Sequence, residues 1–322
     1  MSFNSALAII LTLAAAVASA AEPAPYPSRP IRLVVPQPPG GGTDLLARTT
    51  GQRVAENLKT GVVIDNRAGG GGTIGVGMGA NALPDGFTIV MGFMGPISVN
   101  VNLMKLPYDP VRDLAAITLV ATTPSALVVH SNLPARSVKE LISLLQAKPG
   151  HYFYGSAGNG STPHLAAEMF KLATGTDMVH VPYKGSGPAL VDLLAGNFAI
   201  YFPSLPAVLP HVKSGKIVAL AVTGSRRSEL APNLPPLAEA GLPGFILEQW
   251  YGILTPAKTP DAIARQLHKA FVRALRQSDL ASTLEASGFE IVGNSPSEFA
   301  AYIREDVSRW KKVVKAASIR ID

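Results

Sequence analysis

The sequence contains no cysteine among its 322 residues. Without thiols the chain has no disulfide bonds, no cysteine nucleophile, no thiolate metal ligand and no cysteine to which a lipid could be attached. A chain of this length can bury a large core without disulfides, so their absence does not argue against export from the cell. The length allows one large domain or two ordinary ones.

Charged and aromatic side chains are also scarce, at 16% and 7% of the residues. The 28 basic residues outnumber the 22 acidic ones, but the longest basic runs are the pairs Arg226-Arg227 and Lys311-Lys312. Nucleic-acid binding needs a clustered basic face with aromatic platforms, so we expect no nucleic-acid partner. The hydrophobic content of 47% is typical of a globular protein and argues against disorder.

The first 20 residues contain no Lys or Arg and are apolar from Ala6 to Val17. They end in Ala18-Ser19-Ala20, which matches the A-x-A cleavage site of a secretory leader. The apolar run is short for a membrane span. The pattern therefore predicts a cleaved signal peptide over residues 1–20. An uncleaved membrane anchor is the alternative, because leaders usually begin with basic residues.

Motifs of common enzyme and metal sites are missing: the chain has no G-x-S-x-G, no H-E-x-x-H and no Walker loop. Residues 70–75 match G-x-G-x-x-G, but no ribose-binding acid follows the next strand, so we interpret them as a glycine-rich surface loop. His164 and Glu168 lack a third ligand and are interpreted as a surface pair. We expect no metal and no cofactor. An exported hydrolase with Ser156 or Ser161 as nucleophile near His164 is the alternative to a binding protein.

Short apolar runs typical of strands alternate with amphipathic helical stretches. The pattern predicts an α/β fold in which mostly parallel sheets are flanked by helices. The runs 119–130 and 217–223 are each followed by a new set of strand–helix units, so we interpret them as crossings between two lobes. We expect lobe one at 22–122 plus 246–322 and lobe two at 123–245.

Two glycine-rich segments follow predicted strands and lead into predicted helices: the Gly40 turn (residues 40–44) and the Gly158 loop (residues 155–163). A helix start exposes unpaired N–H groups and the positive end of the helix dipole, which together favour an anion. The Gly158 loop adds neutral hydrogen-bonding groups at Ser156, Asn159, Ser161 and Thr162. A plain strand–turn–helix joint is the alternative for the Gly40 turn, where Asp44 would oppose an anion.

Two further loops should lie at the same edge of the second lobe. Residues 182–188 contain Tyr183 and Lys184, and residues 202–206 contain Pro203. In α/β sheets, ligands bind beyond the carboxyl ends of the strands, which these loops follow. Tyr183 as a packing residue and Lys184 as a solvated cation remain the alternative.

Segments along the whole mature chain resemble the Bug-type receptors, which are the substrate-binding proteins of tripartite tricarboxylate transporters. The resemblance is clearest at residues 31–47 (IRLVVPQPPGGGTDLLA), 62–70 (VVIDNRAGG), 154–165 (YGSAGNGSTPHL), 182–185 (PYKG) and 250–256 (WYGILTP). These segments occur in the order found in the family.

The resemblance implies a two-lobe periplasmic receptor of the Venus-flytrap type, without catalysis. It would bind a small organic acid or related solute between its lobes and pass it to membrane transporter subunits. We expect a monomer, and a sensor not coupled to transport is the alternative role. Carried over by position, the resemblance implies ligand contacts at Gly41, Gly42, Thr43, Asp44, Phe93, Met94, Gly95, Ser156, Asn159, Gly160, Ser161, Thr162, Tyr183 and Lys184. Specificity would come from the 93–95 stretch together with Gln37, Pro203 and Ser204.

Overall fold

The computed structural model describes residues 26–40, 42–183 and 185–316. The predicted signal peptide (1–20), Gly41 and Lys184 lie outside the described residues, so the predictions made for them stay predictions. In the described part of the chain, no helix is both long enough and apolar enough to cross a membrane.

Strands and helices alternate along the described chain. The strands are β1 (Ile31–Val35), β2 (Val62–Asn66), β3 (Thr88–Phe93), β4 (Leu114–Pro124), β5 (Ala126–His130), β6 (Phe153–Ser156), β7 (Val179–Pro182), β8 (Ile200–Tyr201), β9 (Ile217–Val222), β10 (Glu248–Pro256) and β11 (Glu290–Ile291). The longer helices are α1 (Gly42–Leu58), α2 (Thr73–Ala80), α3 (Val138–Ala147), α4 (Thr162–Thr174), α5 (Ser186–Ala195), α6 (Leu205–Lys213), α7 (Asp261–Leu275), α8 (Ser278–Ala286) and α9 (Pro296–Ala316). The short helical segments are Gly70–Gly72, Gly95–Val99 and Asn100–Asn102.

The strands form two sheets, with the orders β11-β4-β10-β3-β1-β2 and β7-β6-β8-β5-β9. β1 pairs in parallel with β2 and β3, and β6 pairs in parallel with β7 and β8. β10 runs antiparallel to β3 and β4, and β5 runs antiparallel to β8 and β9. The sheets are therefore mixed, and the prediction of mostly parallel sheets is wrong. Strands joined through a helix run parallel to each other in the sheet. β5 and β10, by which the chain enters each lobe from the other, run in the opposite direction to their neighbours.

The chain crosses between the lobes at two neighbouring places. It leaves the first sheet at Pro124 and enters the second at Ala126, within the predicted crossing at 119–130. Residues 217–223 are not a crossing, because they form β9 of the second sheet and the chain returns between β9 and β10. The lobe boundaries predicted at 122/123 and 245/246 stay a prediction.

Thr223 joins the two crossings and is fully buried. Its hydroxyl accepts a hydrogen bond from the Ser125 amide at 3.0 Å and donates to the Leu247 carbonyl at 2.6 Å. The Leu247 amide donates in turn to the Thr223 carbonyl at 2.8 Å. These bonds hold the two crossings side by side, so that residues near them can face the space between the lobes.

Amphipathic helices cover the first sheet. In α7, Leu267 and Phe271 are fully buried at i, i+4 spacing. In α9, Phe299 and Trp310 are buried, and the Phe299 ring lies edge-on to Trp250 of β10 with 5.5 Å between ring centroids. The C-terminal helix thus packs on the first lobe. Each such side chain contributes roughly 1.5–3 kcal/mol through burial.

Candidate functional site

A cavity of about 800 Å³ lies between the two lobes, just beyond the carboxyl ends of β1 and β6. Its volume falls in the range of roughly 300–1,000 Å³ that is typical of small-molecule sites. The first lobe lines it with Pro36, Gln37, Pro38, residues 68–72, Phe93, Gly95, Asn100, Met104 and Tyr251, and the hinge region adds Thr123, Ser125 and Gln249. The second lobe lines it with Ala157, residues 159–163, Ser186 and Ser204. Within the described chain, this lining contains no Asp, Glu, Lys or Arg.

The tetraglycine turn (residues 69–72) forms one wall of the first lobe. Its φ angles are +125°, +56°, +62° and +96°, a conformation that glycine adopts without steric cost. The Gly72 amide donates to the Gly69 carbonyl at 3.0 Å, which closes a single turn before α2. The first N–H groups of such a turn have no acceptor within the helix, so they are available at the cavity wall. Gly69, Gly70 and Gly71 are exposed, as expected for a surface loop, but they line the cavity, and residues 73–75 belong to α2.

Phe93 packs directly over the tetraglycine turn. A Cβ atom on Gly72 would lie 2.8 Å from Phe93 Cζ and 3.1 Å from Pro96 Cγ, so the close approach requires glycine. Phe93 and Gly95 line the cavity as predicted for their positions, but Met94 is fully buried in the core. Neighbouring side chains at the end of a strand point to opposite faces, which turns Met94 away.

Gln37 faces the cavity and is held in place by its own lobe. Thr43 Oγ1 donates to Gln37 Oε1 at 2.7 Å, and Asn66 Nδ2 donates to the Gln37 carbonyl at 3.1 Å. Because Oε1 is already engaged, the remaining hydrogen-bonding capacity of the carboxamide is mainly the donor Nε2. Gln37 can therefore present an N–H group to an anion.

Asp44 lies behind the cavity wall and is only 4% exposed. Its Oδ2 accepts hydrogen bonds from Arg48 Nε and from the Gly40 amide, both at 2.9 Å. The hydrogen bond from Arg48, supported by the Gly40 amide, lowers the pKa of Asp44 to about 2. The anion position of the Gly40 turn is thus filled by the protein's own carboxylate. Gly42, Thr43 and Asp44 do not line the cavity, and the ligand contacts predicted for them stay predictions.

We expect Asp44→Asn to lower the free energy of unfolding by about 1–3 kcal/mol at pH 7, because Arg48 and the Gly40 amide lose a charged acceptor. Since the pKa of Asp44 is lowered to about 2, its stabilising effect should be complete above about pH 4 and vanish as the pH falls toward 2. Urea unfolding of both proteins between pH 7 and pH 2 measures this. A difference that is absent at pH 7, or that persists undiminished at pH 2, would contradict the assignment.

In the second lobe, the Gly158 loop leads into α4 at a helix start without a side-chain cap. Ser161 has the extended conformation of an N-cap residue (φ −70°, ψ 157°), but its side chain makes no capping hydrogen bond. Ser161 Oγ is buried and has no partner in the described part of the chain. Leaving a buried hydroxyl unpaired costs about 1–3 kcal/mol, which a ligand at this position would recover.

The floor of the cavity is polar and lies at the hinge. Thr123 and Gln249 face each other across the β4–β10 pair, and Thr123 Oγ1 is buried without a partner in the described chain. Thr162 Oγ1, from the second lobe, donates to Gln249 Oε1 at 2.5 Å. This hydrogen bond joins the lobes directly. We call Thr123, Ser125 and Gln249 the hinge floor.

Three predicted residues of the second lobe lie outside the cavity lining. Ser156 is fully buried, with its Oγ 2.6 Å from His180 Nε2. Tyr183 OH donates to Asp192 Oδ2 at 2.7 Å, and Pro203 is buried. The hydrolase alternative needs an accessible serine beside a base, but Ser156, which does contact a histidine, is sealed behind the cavity wall.

The prediction that His164 and Glu168 form a surface pair is wrong. His164 is only 8% exposed, and its ring stacks on that of His180 with 4.2 Å between centroids. Glu168 Oε1 instead accepts hydrogen bonds from Tyr154 OH at 2.6 Å and Lys171 Nζ at 3.1 Å. Helical periodicity placed the pair on the polar face, but β7 covers that face and supplies His180.

The chain is similar to known receptor proteins over nearly its whole length. The chain matches the family described as tripartite tricarboxylate transporter family receptor over residues 46–319. It belongs to that receptor family. Protein BugT of Bordetella pertussis is 36% identical over 298 residues, which cover 92% of this chain and 91% of BugT.

Solved structures of relatives share the two-lobe fold. An R. palustris protein with adipate is 37% identical, with a TM-score of 0.81 over 92% of this receptor and 99% of that chain. MatC from Rhodopseudomonas palustris, with bound malate, is 32% identical, with a TM-score of 0.78 over 90% of this receptor and 100% of that chain. The family resemblance and the two-lobe fold predicted from the sequence are confirmed, and one solved relative, 31% identical, is the periplasmic binding protein BugD.

The receptor's cavity brings together part of the predicted site. The predicted residues that line it are Gln37, Phe93, Gly95, Asn159, Gly160, Ser161, Thr162 and Ser204. The described ones that do not are Gly42, Thr43, Asp44, Met94, Ser156, Tyr183 and Pro203. Sequence reasoning missed the tetraglycine turn and the hinge floor. The glycine run that begins three residues after the end of β2 is a usable signal for the turn, whereas nothing in the sequence marks the hinge floor.

Proposed function

We propose that this receptor captures a small dicarboxylate in the cavity between its lobes and delivers it to the membrane subunits of a tripartite transporter. The observation that carries the proposal is the start of α4. There Ser161 lines the cavity, and its Oγ is buried without a partner in the described chain, at a helix start whose first N–H groups have no acceptor within the helix. The relatives solved with adipate and with malate, both dicarboxylates, support this ligand class.

A carboxylate in this cavity would meet hydrogen-bond donors and no fixed negative charge among the described lining residues. The starts of α4, α5 and α6 reach the cavity at Ser161, Ser186 and Ser204. Each helix start favours an anion by about 0.3–1 kcal/mol, and each hydrogen bond to a charged group adds about 1.5–3 kcal/mol. Because the donors are neutral, the empty receptor does not have to bury an unpaired charge.

We propose two carboxylates on the ligand because donors occur on both sides of the cavity. On one side, Ser161 and Asn159 belong to the second lobe. On the other, Gln37 and the tetraglycine turn belong to the first. A ligand with an anionic group at each end gains both sets of contacts only when the lobes are closed, and this difference in affinity drives closure. The proposed contacts are Gln37, residues 70–72, Asn159, Gly160, Ser161, Thr162, Ser204 and the hinge floor.

We further propose that the receptor is exported, acts as a monomer and works in the periplasm without catalysing a reaction. The leader-like residues 1–20 and the relative described as the periplasmic binding protein BugD support export and the periplasmic location. Cell fractionation with mass measurement of the recovered chain tests export. A full-length chain found only in the cytosol would overturn it.

The ligand class is tested by thermal unfolding with a panel of dicarboxylates that includes malate and adipate. A ligand at a concentration of 100 times its Kd stabilises the native state by about 2.7 kcal/mol, which corresponds to a rise in Tm of roughly 5 °C. We expect such a shift with at least one dicarboxylate, followed by calorimetry to obtain the Kd.

The diamides of the same acids are matched controls, because they keep the length and shape of the ligand but lose its charge. We expect them to leave the Tm unchanged. If the diamides stabilise the receptor as well as the acids do, or if no acid in the panel stabilises it, the dicarboxylate proposal fails.

A further inference from the structure

A buried histidine holds the Gly158 loop from behind. The Gly160 amide, which belongs to the cavity lining, donates a hydrogen bond to His164 Nδ1 at 3.0 Å. An N–H group can donate only to a ring nitrogen that carries a lone pair, so Nδ1 is unprotonated and a neutral ring carries its proton on Nε2. The loop conformation seen here therefore requires His164 to be neutral.

A second histidine reaches the same loop through Ser156. His180 Nε2 lies 2.6 Å from Ser156 Oγ, and this oxygen accepts the Gly158 amide at 3.0 Å. The two imidazole rings stack at 4.2 Å between centroids with 12° between their planes. The two histidines thus support the loop at two backbone amides, those of Gly158 and Gly160.

The surroundings of the stacked histidines favour their neutral forms. Burial lowers the pKa of His164, and burial together with the nearby His164 lowers the pKa of His180 to about 4. Glu168 on α4 favours the charged forms, but its carboxylate is engaged by Tyr154 of β6 and by Lys171. Lys171 also lies 3.7 Å from Asp177, which follows α4.

We propose that His164 is a positioning residue: its neutral ring holds the Gly158 loop in the ligand-binding conformation, and protonation of the His164–His180 pair releases the loop in acid. A proton on Nδ1 removes the acceptor of the Gly160 amide, and two like charges at this ring separation repel. The consequence for the ligand rests on the proposed function, since it assumes that Gly160 and its neighbours contact the carboxylate.

The direction of the pH dependence follows from the lowered pKa values. The holding conformation requires neutral rings, so the loop is intact above the ordinary histidine pKa of about 6.5. It loosens as the pH falls from that value toward about 4, where His180 titrates. Because the rings interact, the two protons bind in steps that belong to the pair.

Three variants separate this role from a structural one. His164→Asn places a carboxamide oxygen near the position of Nδ1, so it keeps an acceptor that does not titrate. His164→Leu keeps the bulk but has no acceptor. His211→Asn, in the last turn of α6 and outside the cavity lining, removes a histidine elsewhere in the same lobe.

The first readout is the hydrogen-exchange protection factor of the Gly160 amide in the ligand-free receptor, between pH 7.5 and pH 5. We expect it to fall at least tenfold on acidification in the unmodified receptor and in His211→Asn. It should stay nearly constant in His164→Asn and be low at all pH values in His164→Leu. The proposal would be overturned by a protection factor that does not change with pH in the unmodified receptor. It would also be overturned if His164→Leu and the unmodified receptor had the same protection factor at pH 7.5.

The second readout is calorimetric titration with adipate over the same pH range. At pH 7.5 we expect His164→Leu to raise the Kd about 10-fold, which is the loss of one hydrogen bond, and His164→Asn to restore most of the affinity. Protonation of adipate itself weakens binding equally in every variant. If the affinity for adipate falls more steeply with decreasing pH in the unmodified receptor than in His164→Asn, the proposal is supported. Equal losses of affinity in the two proteins count against it. If adipate binds neither the unmodified receptor nor any variant, the proposed function fails for adipate, and the exchange protection of the Gly160 amide alone decides the role of His164.

Discussion

Replacing Asn159 by alanine together with Thr162 by valine is expected to raise the Kd for adipate by a factor of at least about 100. Both side chains line the cavity, Asn159 in the Gly158 loop and Thr162 at the first position of α4. The Thr162 hydroxyl has a single proton, so it must turn from Gln249 to the ligand in order to donate to a carboxylate. Hydrogen bonds to a charged group contribute about 1.5–3 kcal/mol each, and a combined loss of about 3 kcal/mol corresponds to roughly a 100-fold change in Kd. Calorimetric titration of the purified receptor measures it.

The single variants distinguish ligand contact from lobe contact. Thr162→Val also removes the hydrogen bond to Gln249, which joins the lobes. Asn159→Ala leaves that bond intact. We therefore expect Asn159→Ala to weaken binding only through the ligand, whereas Thr162→Val should also make the lobes open more easily, which small-angle scattering detects.

A matched control removes two polar groups from the same lobe without touching the cavity. Asn132 and Asn197 are exposed and outside the lining, so their double alanine variant should bind adipate with an unchanged Kd. If the Asn159/Thr162 variant keeps both the Tm and the Kd of the unmodified receptor, the start of α4 is not the binding site.

A single methyl group added to the tetraglycine turn is expected to weaken both ligand binding and the stability of the fold. Gly72→Ala should weaken adipate binding by at least about tenfold and lower the free energy of unfolding by more than 1 kcal/mol. Gly72 has φ +96°, and an added Cβ would lie 2.8 Å from Phe93 Cζ. A positive φ costs a non-glycine residue roughly 1–2 kcal/mol, and relief of the contact must shift either Phe93 or the turn amides that face the cavity. Urea unfolding and calorimetry measure the two changes.

Gly175→Ala is the control for backbone strain alone. Gly175 ends α4 with φ +62°, and an added Cβ would meet nothing within 4 Å. We expect Gly175→Ala to lower the free energy of unfolding by a similar strain energy, while its Kd for adipate stays unchanged. If the Gly72→Ala receptor binds adipate as well as the Gly175→Ala receptor does, the tetraglycine turn makes no ligand contact.

Strands buried on both faces could be located from the sequence. The runs 31–35 (IRLVV) and 126–130 (ALVVH) predict strands and coincide with β1 and β5, because short runs rich in Val, Ile and Leu that are flanked by proline or serine favour a strand. Helix α2 is not predictable in this way, since its sequence TIGVGMGA contains Gly75, Gly77 and Gly79. Glycine disfavours an isolated helix by about 1 kcal/mol per residue.

Tertiary packing makes those glycines favourable. A Cβ on Gly75 would lie 2.7 Å from the Arg67 carbonyl, and one on Gly79 would lie 1.8 Å from Val90 Cγ2. The missing side chains let α2 lie close against the first sheet, which brings the tetraglycine turn to the cavity. Propensity describes an isolated segment, so it cannot anticipate a helix that forms because of what it packs against.

The hinge floor is beyond sequence reasoning for a related reason. Thr123 and Gln249 are far apart in the chain and meet only through the antiparallel pairing of β4 with β10. Each is an ordinary strand residue by composition. Their pairing depends on the path of the chain through the second lobe and back, which no local pattern encodes.

The sequence by itself determined the family, the two-lobe fold and the two glycine-rich helix starts that suggested an anion site. Only the tertiary structure decided which start is available. At the Gly40 turn, Asp44 folds back onto the Gly40 amide, and Asn66 from the neighbouring strand β2 helps to hold it. At the Gly158 loop, no carboxylate takes that place and Ser161 Oγ has no partner in the described chain. The carboxylate that fills the first helix start is local, since Asp44 lies in the Gly40 turn itself, but the Asn66 amide that helps to orient it comes from another strand.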